Sequence, residues 1–340
     1  MGSNRVAKRN GRILWCLAAA LAGLGLFSFV LGRYDVPLRQ VVMILLSRFV
    51  PVTQTWTDNM AIAVVNIRLP RILLACLVGC CLSAAGTSYQ SVFQNPMASP
   101  DILGASSGAC FGAALSILLG LGRMWTVLFA FAFSLLTVIL VYITGSKTRG
   151  NRVVNILLAG VMISSLFSAG TSYIKLVADP SNQLPAITYW MMGSLSGTRM
   201  SDIRFALGPM LIGLVPLFLL RWRINVLTLG EEEAQTMGVN TSRLRLVVVL
   251  CATFLTAASV AVSGMIGWVG LVVPHLCRKL VGNDNRYLLP ASMLFGAFFL
   301  LLVDNASRNI LATEIPIGIL TAFVGAPFFV YLMTRKEALL

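Results

Sequence analysis

The chain has 340 residues, 57% of them hydrophobic and only 11% charged, and a formal net charge of +14. That composition lies far outside the range of water-soluble domains, so a bilayer is the solvent to reason with. In a soluble chain the basic excess would point to nucleic acid; here the basic residues stand at the ends of apolar runs, where anionic lipid headgroups are the counterpart and nucleic acid is not an expected partner.

Apolar runs near 13–32, 72–92, 102–121, 124–144, 153–174, 203–220, 244–264 and 315–334 each suit a crossing of the hydrocarbon core, which takes roughly 20 helical residues. Two shorter runs, about 269–281 and 287–303, are expected to add a broken helix and a further span. The fold expected is therefore all-α: one polytopic transmembrane domain over 1–340 with about ten helices. The first run has a basic flank like that of a signal peptide, but its interior is long and Gly32-Arg33-Tyr34 is a poor cleavage site, so a retained span is expected. Basic loops stay in the cytoplasm. With the N-terminus inside, ten crossings place both termini there, together with Arg5, Lys8, Arg9, Arg12, Lys147, Arg149, Arg152, Arg221, Arg223, Arg243, Arg245, Arg278, Lys279, Arg286, Arg335 and Lys336. Arg68, Arg71 and Arg308 are left outside, against the bias.

Two interruptions organise the chain. Arg68-Leu69-Pro70-Arg71 opens a span that ends in Asn95-Pro96-Met97-Ala98-Ser99-Pro100, and Arg243-Leu244-Arg245 opens another that ends in a break around Val273-Pro274-His275, with Gly264, Gly267 and Gly270 also interrupting. In the topology above the two units run in opposite senses, as in an inverted repeat of two five-helix halves, about 1–175 and 203–340. Backbone freed by Pro and Gly finds no partner in lipid, so such segments are buried in protein or line a cavity. Pro96, Pro100, Gly104, Gly108 and Gly112 thus form one wall of a path or a tight helix contact, since small residues spaced by four also pack membrane helices.

The one acidic cluster is Leu229-Gly230-Glu231-Glu232-Glu233-Ala234-Gln235-Thr236-Met237-Gly238-Val239-Asn240, in the loop 226–242. It reads as a short helix with carboxylates at the positive end of its dipole and Gly238 in the left-handed conformation that ends it. A small polar helix on a membrane surface suits contact with a soluble partner.

Other patterns are set aside. Gly104-Ala105-Ser106-Ser107-Gly108 matches a nucleophile elbow, but it follows a Pro break and enters an apolar helix rather than a strand-to-helix turn. His275, the only histidine, has no acidic neighbour in sequence and reads as a helix-end residue satisfied by hydrogen bonds. The seven cysteines lie in or beside apolar spans without a CxxC pair, as small packing residues do, so neither disulfide nor metal site is expected. There is no G-x-x-x-x-G-K-[ST] motif for nucleotide. Nor are buried carboxylates expected within the spans, with Asp304 near an outer helix end and Asp101 near an inner one. Energy for uphill transport then has to arrive from a partner.

Five ordered motifs, Arg68-Leu69-Pro70-Arg71, Asn95-Pro96 through Gly104, Gly230 through Asn240, Gly264-Met265-Ile266-Gly267-Trp268-Val269-Gly270 through His275, and Ile315-Pro316-Ile317-Gly318 with Gly325-Ala326-Pro327, span nearly the whole chain. Together they resemble the permease subunit of binding-protein-dependent ABC importers for iron chelates, haem and cobalamin. The resemblance implies a transport subunit without catalysis or cofactor of its own in a bacterial or archaeal cell membrane. It implies a second permease subunit, two cytoplasmic ATPases carrying ATP and Mg, and an extracytoplasmic binding protein. It assigns Gly230, Glu231, Glu232, Glu233, Ala234, Met237, Gly238, Val239 and Asn240 to ATPase coupling, and Arg68, Arg71 and Arg308 to docking of the binding protein, against which interfacial snorkelling is the plain alternative. Asn95, Pro96, Pro100, Gly104, Pro274 and Gly318 are path or hinge candidates. Ferric siderophore is the first choice of cargo on family frequency, with haem or cobalamin as alternatives. An ion-coupled secondary carrier is the reading from another class, and an intramembrane enzyme is third.

Overall fold

The computed structural model describes residues 2–32, 34–48, 50–51, 53–147, 152–228 and 231–334. Every regular element among them is helical. Helix α1 (Gly2–Val30) leads into two short helices, α2 (Leu38–Leu46) and α3 (Asp58–Ala61), and a π-helical turn, Ile62–Arg68, runs directly into α4 (Leu69–Val92). A 3-10 turn at Pro100–Leu103 precedes α5 (Ala105–Leu118), followed by α6 (Arg123–Lys147), α7 (Arg152–Val177), α8 (Gln183–Met191) and α9 (Met200–Leu227). The remaining elements are α10 (Glu231–Thr236), α11 (Thr241–Ser263), α12 (Val269–Val281), α13 (Asn285–Asn309) and α14 (Ile317–Thr334).

Among the described residues seven helices are long and apolar enough to cross a membrane, α3 and α4 counting as one through the π-turn, and α5 and α14 are shorter apolar helices. Two expected lengths change. The run 102–121 holds only the fourteen residues of α5, because Pro100 opens a 3-10 turn and Gly104, at φ +77°, takes the left-handed backbone that separates that turn from the helix. The short run 287–303 is a span, as expected, but a longer one of 25 residues that extends through Asp304, Asn305, Ser307 and Arg308. Those polar residues end an apolar pattern in sequence, but all four are buried and bond within the protein.

In α11, 72% of the apolar window is buried, against 11% in α1 and 22% in α7, so α11 is an inner helix while α1 and α7 leave apolar faces for lipid or another chain. Helices in lipid gain nothing from hiding apolar surface from one another, and close van der Waals packing decides their contacts. Here glycines supply it. A Cβ on Gly86 of α4 would lie 1.8 Å from the Gly270 carbonyl oxygen of α12, and one on Gly79 would lie 2.2 Å from that of Gly296 in α13. Gly108 and Gly112 of α5 are likewise pressed onto α6, with hypothetical Cβ atoms 2.5 Å from Phe133 O and 2.3 Å from Phe129 O. For these two, tight helix contact is the role observed. Buried hydroxyls in α4 bond back one turn, Thr87 to Ser83 O at 2.9 Å, Ser88 to Ala84 O at 2.8 Å and Ser91 to Thr87 O at 2.9 Å, which satisfies them without breaking the helix.

Candidate functional site

Helix α10 is closed, and α11 opened, by caps at the turn between them. Helix α10 closes through Met237 N–H to Glu233 O at 3.3 Å and Val239 N–H to Ala234 O at 3.1 Å, and Gly238 has φ +75°, the left-handed residue that terminates a helix in this way. Asn240 then starts α11, its Oδ1 accepting from Arg243 N–H at 3.0 Å. Ala234 is fully buried, whereas Met237 is 56% exposed. Glu233 and Asn240 are exposed and Val239 is half-buried. Gly230 lies outside the described residues, as do the side chains of Glu231 and Glu232.

This loop is tied to the rest of the bundle by residues that carry no motif. Gln94, itself left-handed at φ +48°, donates from Nε2 to Leu227 O at 2.7 Å, joining the end of α4 to the end of α9. Asn225, one turn earlier, donates to Asp284 Oδ1 at 2.7 Å and accepts from Asn285 N–H at 2.7 Å. Asn285 Oδ1 accepts in turn from Ser91 Oγ at 3.2 Å, and Asn10 Nδ2 reaches Val281 O at 2.9 Å. Burial works to raise the pKa of Asp284, but hydrogen bonds from Arg286 and Asn225 outweigh it and hold the carboxyl below its usual range. All of these groups meet where α4, α9, α12 and α13 end beside the loop.

The interruptions converge in mid-bundle. Asn95 Oδ1 accepts from Met97 N–H at 2.8 Å, closing the turn at Pro96. Asp101, exposed at this first break, accepts from the Ser106 hydroxyl. Gly104 fits against α7, where its Cβ would meet Ser164 Oγ at 2.5 Å. The second break falls at residues 264–268, between a left-handed Gly264 and Trp268 at φ +70°. It is not at Pro274, which is buried inside α12 and does not end that helix. Pro100 packs on Gly270, whose Cβ would be 3.2 Å from Pro100 Cδ, so the two breaks touch. Gly318 joins them, because its Cβ would lie 2.3 Å from Met192 O and 2.7 Å from Met265 O, and Ile317 N–H bonds Gly193 O at 2.9 Å. Trp268 had no signal in the sequence, since nothing local marks a tryptophan for left-handed backbone. His275 differs from expectation: it packs edge-on against Phe328, and its buried Nε2 has no hydrogen-bond partner among the described residues.

At the opposite end of the bundle, Arg68, Arg71 and Arg308 come together, but inside the fold. Their exposures are 4%, 5% and 8%. Arg68 donates to Phe29 O at 2.5 Å and to Tyr34 O, capping the last turn of α1. Arg71 Nε bonds Asp304 Oδ1 at 2.9 Å while its Nη1 bonds both Glu314 oxygens at 3.0 and 2.9 Å. Arg308 Nε lies 3.3 Å from Asp304 Oδ2. Asp304, with no exposed surface, corrects the expectation that the spans lack a buried carboxylate. Charge balance explains it: two guanidinium groups face one carboxylate directly and a second, Glu314, through Arg71. A cavity of about 190 Å³ opens onto Arg68, Arg71, Arg308 and Glu314. Arg71 Nη2 has no partner among the described residues.

Residues 20–335 match the FecCD transport family. The chain is 38% identical over 329 residues to the molybdate import system permease protein MolB of Haemophilus influenzae, covering 96% of each protein. It is 41% identical to the cobalamin import system permease protein BtuC of Halobacterium salinarum, over 82% of this chain and 75% of that one. With the hemin transport system permease protein HmuU of Yersinia pestis it shares 39% identity, over 80% of this chain and 83% of that one. A solved structure described as an inward-facing conformation of a metal-chelate type ABC transporter superposes with a TM-score of 0.85 at 37% identity, covering 95% of this chain and 99% of the other.

Proposed function

The chain belongs to the FecCD transport family, and from that premise we propose that it imports an iron chelate, ferric siderophore first, by alternating access driven by partner ATPases. It is a multi-pass membrane permease of an ABC importer. The observation that carries the coupling role is the α10 loop: α10 is closed at Gly238 and α11 opened by Asn240, the end of α9 before it is bonded to Gln94 and Asp284, and Glu233 and Met237 are exposed to a partner. The loop then lies in the cytoplasm with both termini, and the arginine cluster lies outside. Reciprocal packing supports two related halves, about 1–175 and 203–340: α4 packs on α12 and α13, and α11 on α5 and α6. The exposed apolar face of α7, with Met162 and Leu166 each 67% exposed, suits a second permease subunit.

The names of the relatives divide among iron chelatin, cobalamin, hemin and molybdate import. The experiment is uptake into proteoliposomes holding the permease, its ATPases and its binding protein, with radiolabelled ferric siderophore competed by haem, cobalamin and molybdate. Uptake that follows an ion gradient without ATP would sink the importer reading; molybdate as the winning competitor would sink the chelate.

Gly238→Val should cut uptake at least tenfold while the protein inserts normally, and Gly238→Asn should retain most of it. No atom lies within 4 Å of a Cβ placed there, so the obstacle is conformation alone: left-handed backbone costs about 1–2 kcal/mol for an ordinary residue and less for Asn. Equal activity of the two variants in the uptake assay would remove the loop cap from the mechanism.

The outer cluster is proposed to receive an acidic group of the binding protein. Glu314, 28% exposed at its side chain, already holds Arg71 and would have to give way. Glu314→Gln is therefore expected to tighten binding-protein association a few-fold, on the scale of about 0.2–1 kcal/mol for a partly exposed pair, and to steepen its salt dependence. Affinity measured in nanodiscs at low and high salt is the check; no change in either withdraws the docking role.

A further inference from the structure

We propose that the groove between the end of α9, the α10 loop and the start of α11 is a binding site for one anionic phospholipid. The groove has a volume of about 520 Å³, and its walls include Leu220, Trp222, Arg223, Met237, Arg243 and Val247. Two arginines from different helices line it. Arg223 and Arg243 are both exposed, and neither side chain has an ion-pair or hydrogen-bond partner among the described residues. Two unpaired cations at one opening call for an anion. Arg243 also stands in the first turn of α11, where the helix dipole adds to the same field.

The apolar walls decide between a lipid and a soluble protein. Leu220 lies seven residues before the end of α9 and Val247 six residues into α11. At 1.5 Å per residue these side chains are roughly 10 Å deeper than the helix ends. Both helices are long and apolar enough to span, so that depth is hydrocarbon, which an acyl chain reaches and a soluble partner does not. Trp222, 52% exposed, sits between the two levels, where indole rings settle at a membrane interface. The headgroup is therefore held by Arg223 and Arg243, with an acyl chain along Leu220 and Val247. Because Met237 belongs to the same wall, the lipid touches the loop that carries Gly238. The site stands independently of the transport reading, since it needs only the groove and a bilayer.

The test uses the purified membrane complex in vesicles, with Trp222→Phe subtracted to isolate the fluorescence of Trp222. Dibrominated phosphatidylglycerol and dibrominated phosphatidylcholine are compared as quenchers at equal mole fraction. Phosphatidylglycerol should be preferred on the order of tenfold, given the attraction expected of each basic residue near the surface. Arg223→Gln with Arg243→Gln should abolish the preference while keeping the weak quenching by phosphatidylcholine, which reports an intact groove. Equal quenching by both lipids in the wild-type complex would show ordinary annular contact and overturn the proposal. No quenching by either would show that a partner subunit covers the groove, and would overturn it too.

Discussion

Asp304→Ala is expected to destabilise the protein by about 3–5 kcal/mol, enough to deplete folded permease. The carboxylate has no exposed surface and lies 2.9 Å from Arg71 Nε and 3.3 Å from Arg308 Nε. Removing it leaves Arg71 with Glu314 and Arg308 with Asn305, both guanidinium groups still largely buried. The loss comes from stranding charge rather than from the worth of the ion pair itself. A compensating variant separates the two. Asp304→Leu combined with Arg308→Leu removes one charge of each sign and leaves Arg71 paired with Glu314, so it should regain more than half of the lost thermal stability. Thermal midpoints in nanodiscs decide it; a wild-type midpoint for Asp304→Ala, or a double variant no better than the single, would refute the charge-balance argument.

Gly86→Ala is expected to abolish transport, with a cost at or above the roughly 1–3 kcal/mol typical of overpacking. The added methyl carbon would lie 1.8 Å from the Gly270 oxygen, 2.5 Å from its carbonyl carbon and 2.7 Å from its Cα. All three atoms are backbone. No rotamer relieves the clash, so α12 has to move away from α4 and take the 264–268 break with it. Gly267→Ala in that same break is the control, since no atom lies within 4 Å of its Cβ position. The measurement is uptake together with the yield of monodisperse protein. Wild-type uptake by Gly86→Ala would mean that the α4–α12 contact is not what holds the breaks in place.

The legible parts of this protein were the local ones. Apolar runs marked the spans because a bilayer sets their length, and the loop cap was readable because Gly238 obeys a rule about its own backbone. Gly104 and Pro100 were readable for the same reason, although the helix they shorten was placed as a full span. Partners distant in sequence were invisible. Arg71 and Asp304 are 233 positions apart, so in sequence Arg308 and its neighbours read as stranded external charge and α13 as ending before Asp304. Gln94 and Leu227 are 133 positions apart, and the bond goes to a backbone carbonyl, which no side-chain pattern announces. The second break was placed at Pro274 because proline is the stronger signal in sequence, whereas the structure turns at Gly264 and Trp268.

The position of α1 sets an order of birth. Its last carbonyls are held by Arg68, its Ser28 by Asn305 Nδ2 at 2.6 Å, and its main packing neighbour is α13. Helix α1 therefore waits for α13, made long after it, to complete its packing. Until then its contacts with α2, the π-turn and α4 hold it, and its length and apolarity suit it to lipid. A helix that joins so late and so loosely need not be covalently joined at all: residues 1–48 and 53–340, made as two separate polypeptides in one cell, are expected to find each other and form the same bundle.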